Sequence, residues 1–81
     1  MEQESIEFDK VNETLEDLRS KWPSTLVPRE RIYEFSGGLI NPRTMANLDS
    51  RGEGPDRMRI GKKVAYPLDS LIEWMKNKIK N

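Results

Sequence analysis

Glycine and proline punctuation confines the middle of this 81-residue chain to a few short elements. Asn41-Pro42 opens a helix, because Asn is a good N-cap and Pro is pre-set for the first helical turn, where its missing N–H costs nothing. Gly52 and Gly54-Pro55 end that helix, and Gly61 with Lys62 can turn the chain between two short strands. A helix this short and a lone hairpin are both marginal in water, so each must lean on the rest of the chain.

Within the helix, Met45 and Leu48 are one turn apart and face a core. Thr44, Asn47 and Arg51 then fall along another face at spacings of three and four, with Arg43 and Ala46 flanking them. In the hairpin, strands are expected near 57–60 and 64–66. Met58, Ile60, Val64 and Tyr66 are apolar there, while Arg57, Arg59, Lys62 and Lys63 are basic.

The flanking segments supply the apolar surface. Phe8, Val11, Leu15, Leu18 and Trp22 make one stripe on a helix over 8–22, with acids on its other face and Arg19 and Lys21 near its end. Pro23 stops it, since the residue before a proline resists the α conformation. Packing of this stripe within the chain competes with docking on a partner. Val27 to Phe35 reads as a further helix, with Pro28 in its first turn and Val27, Ile32 and Phe35 as its apolar edge. Gly37-Gly38 caps it, and Leu39 and Ile40 are expected to be core residues of the turn. After Pro67, a last helix starts at Leu68 or Asp69. Its stripe is Leu68, Leu71, Ile72, Met75 and Ile79, with Trp74 beside it and Lys76, Lys78 and Lys80 at its C-terminal end.

Composition narrows the chemistry. The chain has no cysteine and no histidine, which removes disulfides, thiolate metal sites, the commonest general base and the commonest zinc ligand. No pair of acids sits in an apolar setting that would raise a carboxyl pKa, so an enzyme is not expected and no catalytic residue, metal or cofactor is assigned. No run reaches the roughly 18 to 20 apolar residues of a membrane span. The acidic start MEQESIEFDK has no apolar signal region, so a cytoplasmic protein is expected.

The formal charge is zero, yet it is unevenly spread: residues 1–27 carry seven acids and three bases, and residues 28–81 carry eleven bases and seven acids. The basic half holds the short helix and the hairpin. A helix fits a major groove, where Arg matches the paired acceptors of guanine and Asn matches adenine. Cations beside it neutralise phosphates. Arg43, Thr44, Asn47 and Arg51 are therefore the candidate base-reading residues, and Arg57, Arg59, Lys62 and Lys63 the candidate phosphate or minor-groove contacts. The plainer reading of each is a solvated helix face or hairpin. Trp74, Leu71, Met75, Ile32, Phe35, Met45 and Leu48 are expected in the core. Trp22 either caps the core or belongs to a partner surface.

Residues 26–76 resemble the excisionase and AlpA-type branch of the MerR-like winged helix-turn-helix proteins. The carriers are NPRTMANL, then GEGP, then RMRIGKKVAYPLDSLIEWM. The resemblance implies a mainly α fold with a small β-hairpin, in which residues 26–81 form a winged helix-turn-helix DNA-binding domain. Residues 1–25 then add an acidic amphipathic helix and linker, and Gly-Gly-Leu-Ile lengthens the turn between the two helices. It further implies a protein of a bacterial or phage-infected cell that binds and bends double-stranded DNA beside an attachment site and directs a tyrosine or serine integrase toward excision, with possible self-association on DNA. It implies no small-molecule ligand and no membrane. A prophage transcriptional regulator fits the same residues. An adaptor or anti-repressor working through the acidic helix 8–22 is a reading of a different class, opposed by the basic hairpin.

Overall fold

A computed structural model describes residues 8–79 of the chain, with side chains from Lys10 onward. The acidic segment 1–7, the side chain of Phe8 and Lys80 of the expected basic run lie outside the described residues. In chain order the elements are α1 (Phe8–Lys21), β1 (Leu26–Pro28), a single 3-10 turn (Arg29–Arg31) leading into α2 (Ile32–Phe35), α3 (Pro42–Ser50), β2 (Met58–Ile60), β3 (Lys63–Pro67) and α4 (Leu68–Lys78). The described residues thus make a small, mostly helical α+β unit of four helices and one three-stranded antiparallel sheet, ordered β1-β3-β2.

The segment expected as a helix from Val27 starts instead as a strand. Val27 pairs with Tyr66 and Pro28 with Ala65, and Pro28 has the extended angles φ −61° and ψ 142°. Proline is tolerated because β1 is an edge strand, where one ladder N–H is dispensable. Helical turns begin only after it, and α2 is reduced to Ile32–Phe35. The small hairpin is thereby widened into a sheet that leans on the helices through β3.

Both central helices end as their glycines predict. Gly37 and Gly52 adopt φ of +69° and +71°. Gly38 N–H donates to Tyr33 O and Glu53 N–H to Leu48 O, closing the six-residue loop of a Schellman motif in each case. Leu39 does not enter the core: it is 85 % exposed, while Ile40 packs against the core. The Ser36 hydroxyl accepts from Ile40 N–H at 2.9 Å and fixes the chain so that these neighbours point opposite ways.

One core joins the four helices, β1 and β3, while β2 and the 3-10 turn contribute no buried residue. Val11 and Leu15 of α1, Val27, Ile32, Phe35, Met45, Tyr66 and the α4 residues Leu68, Leu71, Ile72 and Met75 are buried together. The α1 stripe therefore packs within the chain, against α4, and the Arg19–Asp69 ion pair links the two helices at the surface. Trp22 caps the core. Its ring meets Phe35 edge-on at 5.3 Å, its Nε1–H donates to Leu26 O at 2.8 Å, and the Arg31 guanidinium lies 5.5 Å from its centroid. Trp74 is half-buried and its Nε1–H donates to Glu53 O at 2.9 Å, tying α4 to the segment after α3. Ile79 falls beyond the last turn of α4 and is 40 % exposed, outside the stripe that it was expected to complete.

Candidate nucleic-acid interface

Helix α3 begins where its cap dictates. The Asn41 side chain accepts from Thr44 N–H at 2.8 Å, and Pro42 fills the first helical position. Met45 and Asp49, four residues apart, are buried, and Pro42, Ala46 and Leu48 flank them half-buried. At about 100° per residue, the remaining positions Arg43, Thr44, Asn47, Ser50 and Arg51 form one continuous exposed arc. The structure thus brings the four expected α3 residues onto one side of the helix, with Asn47 near the middle. Arg43 makes no ion pair, and the Asn47 side chain no hydrogen bond, among the described residues. Arg51 is engaged with Glu53 at 3.4 Å.

The hairpin carries its four cations on two faces. Ile60 pairs with Lys63, Arg59 with Val64 and Met58 with Ala65. Cross-strand partners share a face and neighbours alternate, so Arg59 shares its face with Val64 and Tyr66, whereas Met58 and Ile60 point outward beside Lys63. Gly61, at φ +61°, supplies the positive angle that a two-residue turn needs at its first central position. The cations differ in freedom. Lys62 makes no ion pair among the described residues, and the Arg59 guanidinium reaches back to Gly61 O at 3.3 Å. Lys63 Nζ donates to both carboxylate oxygens of Glu30 at 2.9 and 3.1 Å, and Arg57 lies 3.9 Å from Asp49.

What joins the two sets is a buried polar cluster that sequence reasoning missed. The Asp49 side chain is 3 % exposed. Its Oδ2 accepts from the Tyr66 hydroxyl of β3 at 2.6 Å and from the Arg29 guanidinium at 2.5 Å, while Arg29 Nε donates to the Tyr66 oxygen at 3.0 Å. Burial chiefly, with the Asp49 carboxylate adding to it, pushes the Tyr66 hydroxyl up to about 12 against the opposing effect of Arg29. The hydrogen bond to Tyr66, foremost, and the one to Asp49 hold the Arg29 guanidinium above its ordinary value despite burial. Asp49 Oδ1 is buried without a hydrogen-bond partner among the described residues and faces Gly54, where a Cβ would collide with it. One signal could have found this cluster: Asp49 stands four residues after Met45, on the apolar side of its helix, and a carboxylate buried there needs partners.

The opposite electrostatic character gathers elsewhere. A cleft of about 410 Å³ between the α3–β2 connection and α4 is lined by Asp56, Asp69, Glu73, Ser70, Asn77 and Trp74 together with Gly54 and Pro55. Its carboxylates mark a surface that a polyanion avoids. No helix among the described residues is long and apolar enough to cross a membrane. Comparison with protein-family models, with curated proteins and with solved structures found no match to this chain.

Proposed function

We propose that the chain is a winged helix-turn-helix DNA-binding protein of the excisionase type, with α2 and α3 as the helix-turn-helix and the β2–β3 hairpin as its wing. Arg43, Thr44, Asn47 and Arg51 read base edges from the major groove, and Arg57, Arg59, Lys62 and Lys63 hold phosphates or edge into the minor groove. The observation that carries this reading is the exposed polar arc of α3 on a helix whose buried side is anchored to the base of a cationic hairpin through Asp49 and Tyr66. Phosphate contacts from the hairpin supply affinity and register, and the helix supplies sequence preference.

In this role the protein performs no bond chemistry. It bends DNA beside a recombination site so that an integrase assembles in the excisive arrangement. The resemblance of residues 26–76 takes in excisionases and AlpA-type regulators alike, and a prophage regulator fits the same residues. Val11 and Leu15 of the α1 stripe are buried in the core, so an adaptor would work through the exposed acids Glu13, Glu16 and Asp17 of the same helix. Selection of bound sequences from a random duplex pool tests the proposal: recovery of a shared motif, with affinity falling as salt rises, is expected. No enrichment and no binding at low salt would overturn it. An adjacent integrase gene, or excision stimulated by the added protein, separates the excisionase from a regulator.

A further inference from the structure

The tip of the hairpin carries a large apolar side chain that the fold does not use. Ile60, the last residue of β2, is 70 % exposed, and Met58 on the same face is 45 % exposed. Their exposure follows from the register. Gly61 and Lys62 make a two-residue turn that sets Ile60 opposite Lys63, so the β2 apolar residues fall on the face away from Val64 and Tyr66. A singly exposed Ile is ordinary. Ile60 differs in its surroundings: Arg59 precedes it, Lys62 follows across the turn, and Lys63 sits opposite. Arg59 points to the other face of the ribbon and Lys63 is held by Glu30, so Lys62, which makes no ion pair among the described residues, is the tip cation that first attracts a polyanion.

We propose that Ile60 is an apolar wedge, which the hairpin inserts between base pairs in the minor groove of duplex DNA, with Met58 following it against the groove wall. The inference rests on the DNA-binding reading above and gives the hairpin a mechanical part in it. Apolar side chains of this size unstack one base step and kink the duplex by roughly 20–90° toward the major groove. The flanking cations neutralise the phosphates that such a kink crowds together. Exposure at the tip of a two-stranded projection is the geometry that a wedge requires, since the side chain must reach the bases before the strands meet the backbone.

The test uses the full chain and a duplex of about 30 base pairs recovered from the random-pool selection, labelled at both ends for energy transfer and with 2-aminopurine through the bound site. Wild-type protein is expected to shorten the end-to-end distance and raise 2-aminopurine fluorescence. Ile60→Ser should abolish both signals while lowering affinity no more than about tenfold, because the unstacking cost is saved along with the contact. Ile60→Leu should restore both signals. Lys62→Ala should weaken binding yet keep the bend. Because Ile60 is outside the core, its variants keep the wild-type circular dichroism and melting temperature. Binding with an unchanged bend in Ile60→Ser overturns the wedge and leaves DNA binding intact. Absence of duplex binding by wild type, with Ile60-dependent binding to phosphatidylserine vesicles instead, overturns both and assigns the tip to a lipid surface.

Discussion

The Tyr66 hydroxyl donates to Asp49 Oδ2 at 2.6 Å and so ties the central strand of the sheet to the helix that carries the exposed arc. Arg29 closes the triangle from the turn after β1. Three segments distant in sequence are thus held by one carboxylate. The orientation of α3 relative to the hairpin depends on it.

Asp49→Asn should destabilise the fold more than Tyr66→Phe. Neutralising Asp49 leaves the Arg29 guanidinium, whose side chain is only 26 % exposed, without its charge partner. Breaking such a pair costs about 3–5 kcal/mol when fully buried, and the partial exposure of Arg29 places this one toward or below the lower end. Tyr66→Phe removes two hydrogen bonds with charged groups, the one donated to Asp49 and the one accepted from Arg29, but leaves the Arg29–Asp49 ion pair in place. Urea unfolding of the two variants measures the order. Equal midpoints for both variants and wild type would mean that the cluster contributes nothing to stability.

Alkaline pH should weaken the fold through the same hydroxyl. Tyr66 titrates at about 12 in the folded state against an ordinary value of 10, so the unfolded chain gives up this proton first. The contribution is fully present below about pH 10 and is lost as pH rises toward 12, with a slope of up to about 1.4 kcal/mol per pH unit. Denaturant titrations between these limits should show the decline in wild type and a shallower one in Tyr66→Phe. Parallel profiles for the two proteins would place the loss in other groups.

Much of this architecture is written locally. Asn41-Pro42, Gly37-Gly38 and Gly52 act through their own backbone neighbours, and each starts or ends a helix as its chemistry requires. The stripes of α1 and α4 repeat over several turns, long enough for the periodicity to be unambiguous. What escaped reading is non-local. β1 has three residues, too few to display an alternation, and it is a strand only because β3 pairs with it about 40 residues later. Pro28 suits a helical first turn and an edge strand equally well, so it could not decide between them. Leu39 looked like core by hydropathy alone, yet a left-handed glycine pair turns it to solvent. The polar arc of α3 was legible as a helical face. The Asp49 cluster was not, because its partners lie 20 and 17 residues away.

The glycines after α3 should respond to alanine for different reasons. Gly52 sits at φ +71° with open space around it, so Gly52→Ala costs about 1–2 kcal/mol of backbone strain and leaves the surroundings alone. Gly54 has no positive φ, but its added Cβ would strike the Asp49 carboxylate, which is pinned by Tyr66 and Arg29. Gly54→Ala should therefore cost about 1–3 kcal/mol through crowding. It should also couple to Asp49→Ala in a double-mutant cycle, whereas Gly52→Ala should add independently. Additive behaviour of Gly54→Ala would show that the carboxylate is not what it meets.

The salt dependence of DNA binding should separate cations that the fold leaves free from those that it already engages. Lys62 makes no ion pair among the described residues, so a phosphate contact there releases a counterion outright. Lys62→Ala should flatten the slope of log K against log salt by about 0.9. Lys63 must first leave Glu30, which holds its ammonium at 2.9 Å. Lys63→Ala should therefore weaken binding less than Lys62→Ala. Glu30→Gln should strengthen binding by freeing Lys63, and most of that gain should vanish when Lys63 is also Ala, whereas a simple loss of surface negative charge would persist in the double variant. On α3, Arg43→Ala and Asn47→Ala should each cost about 1–3 kcal/mol and relax preference at one base without the large change in slope. Slopes indistinguishable from wild type for both lysine variants would remove the hairpin from the interface, whatever the α3 variants do.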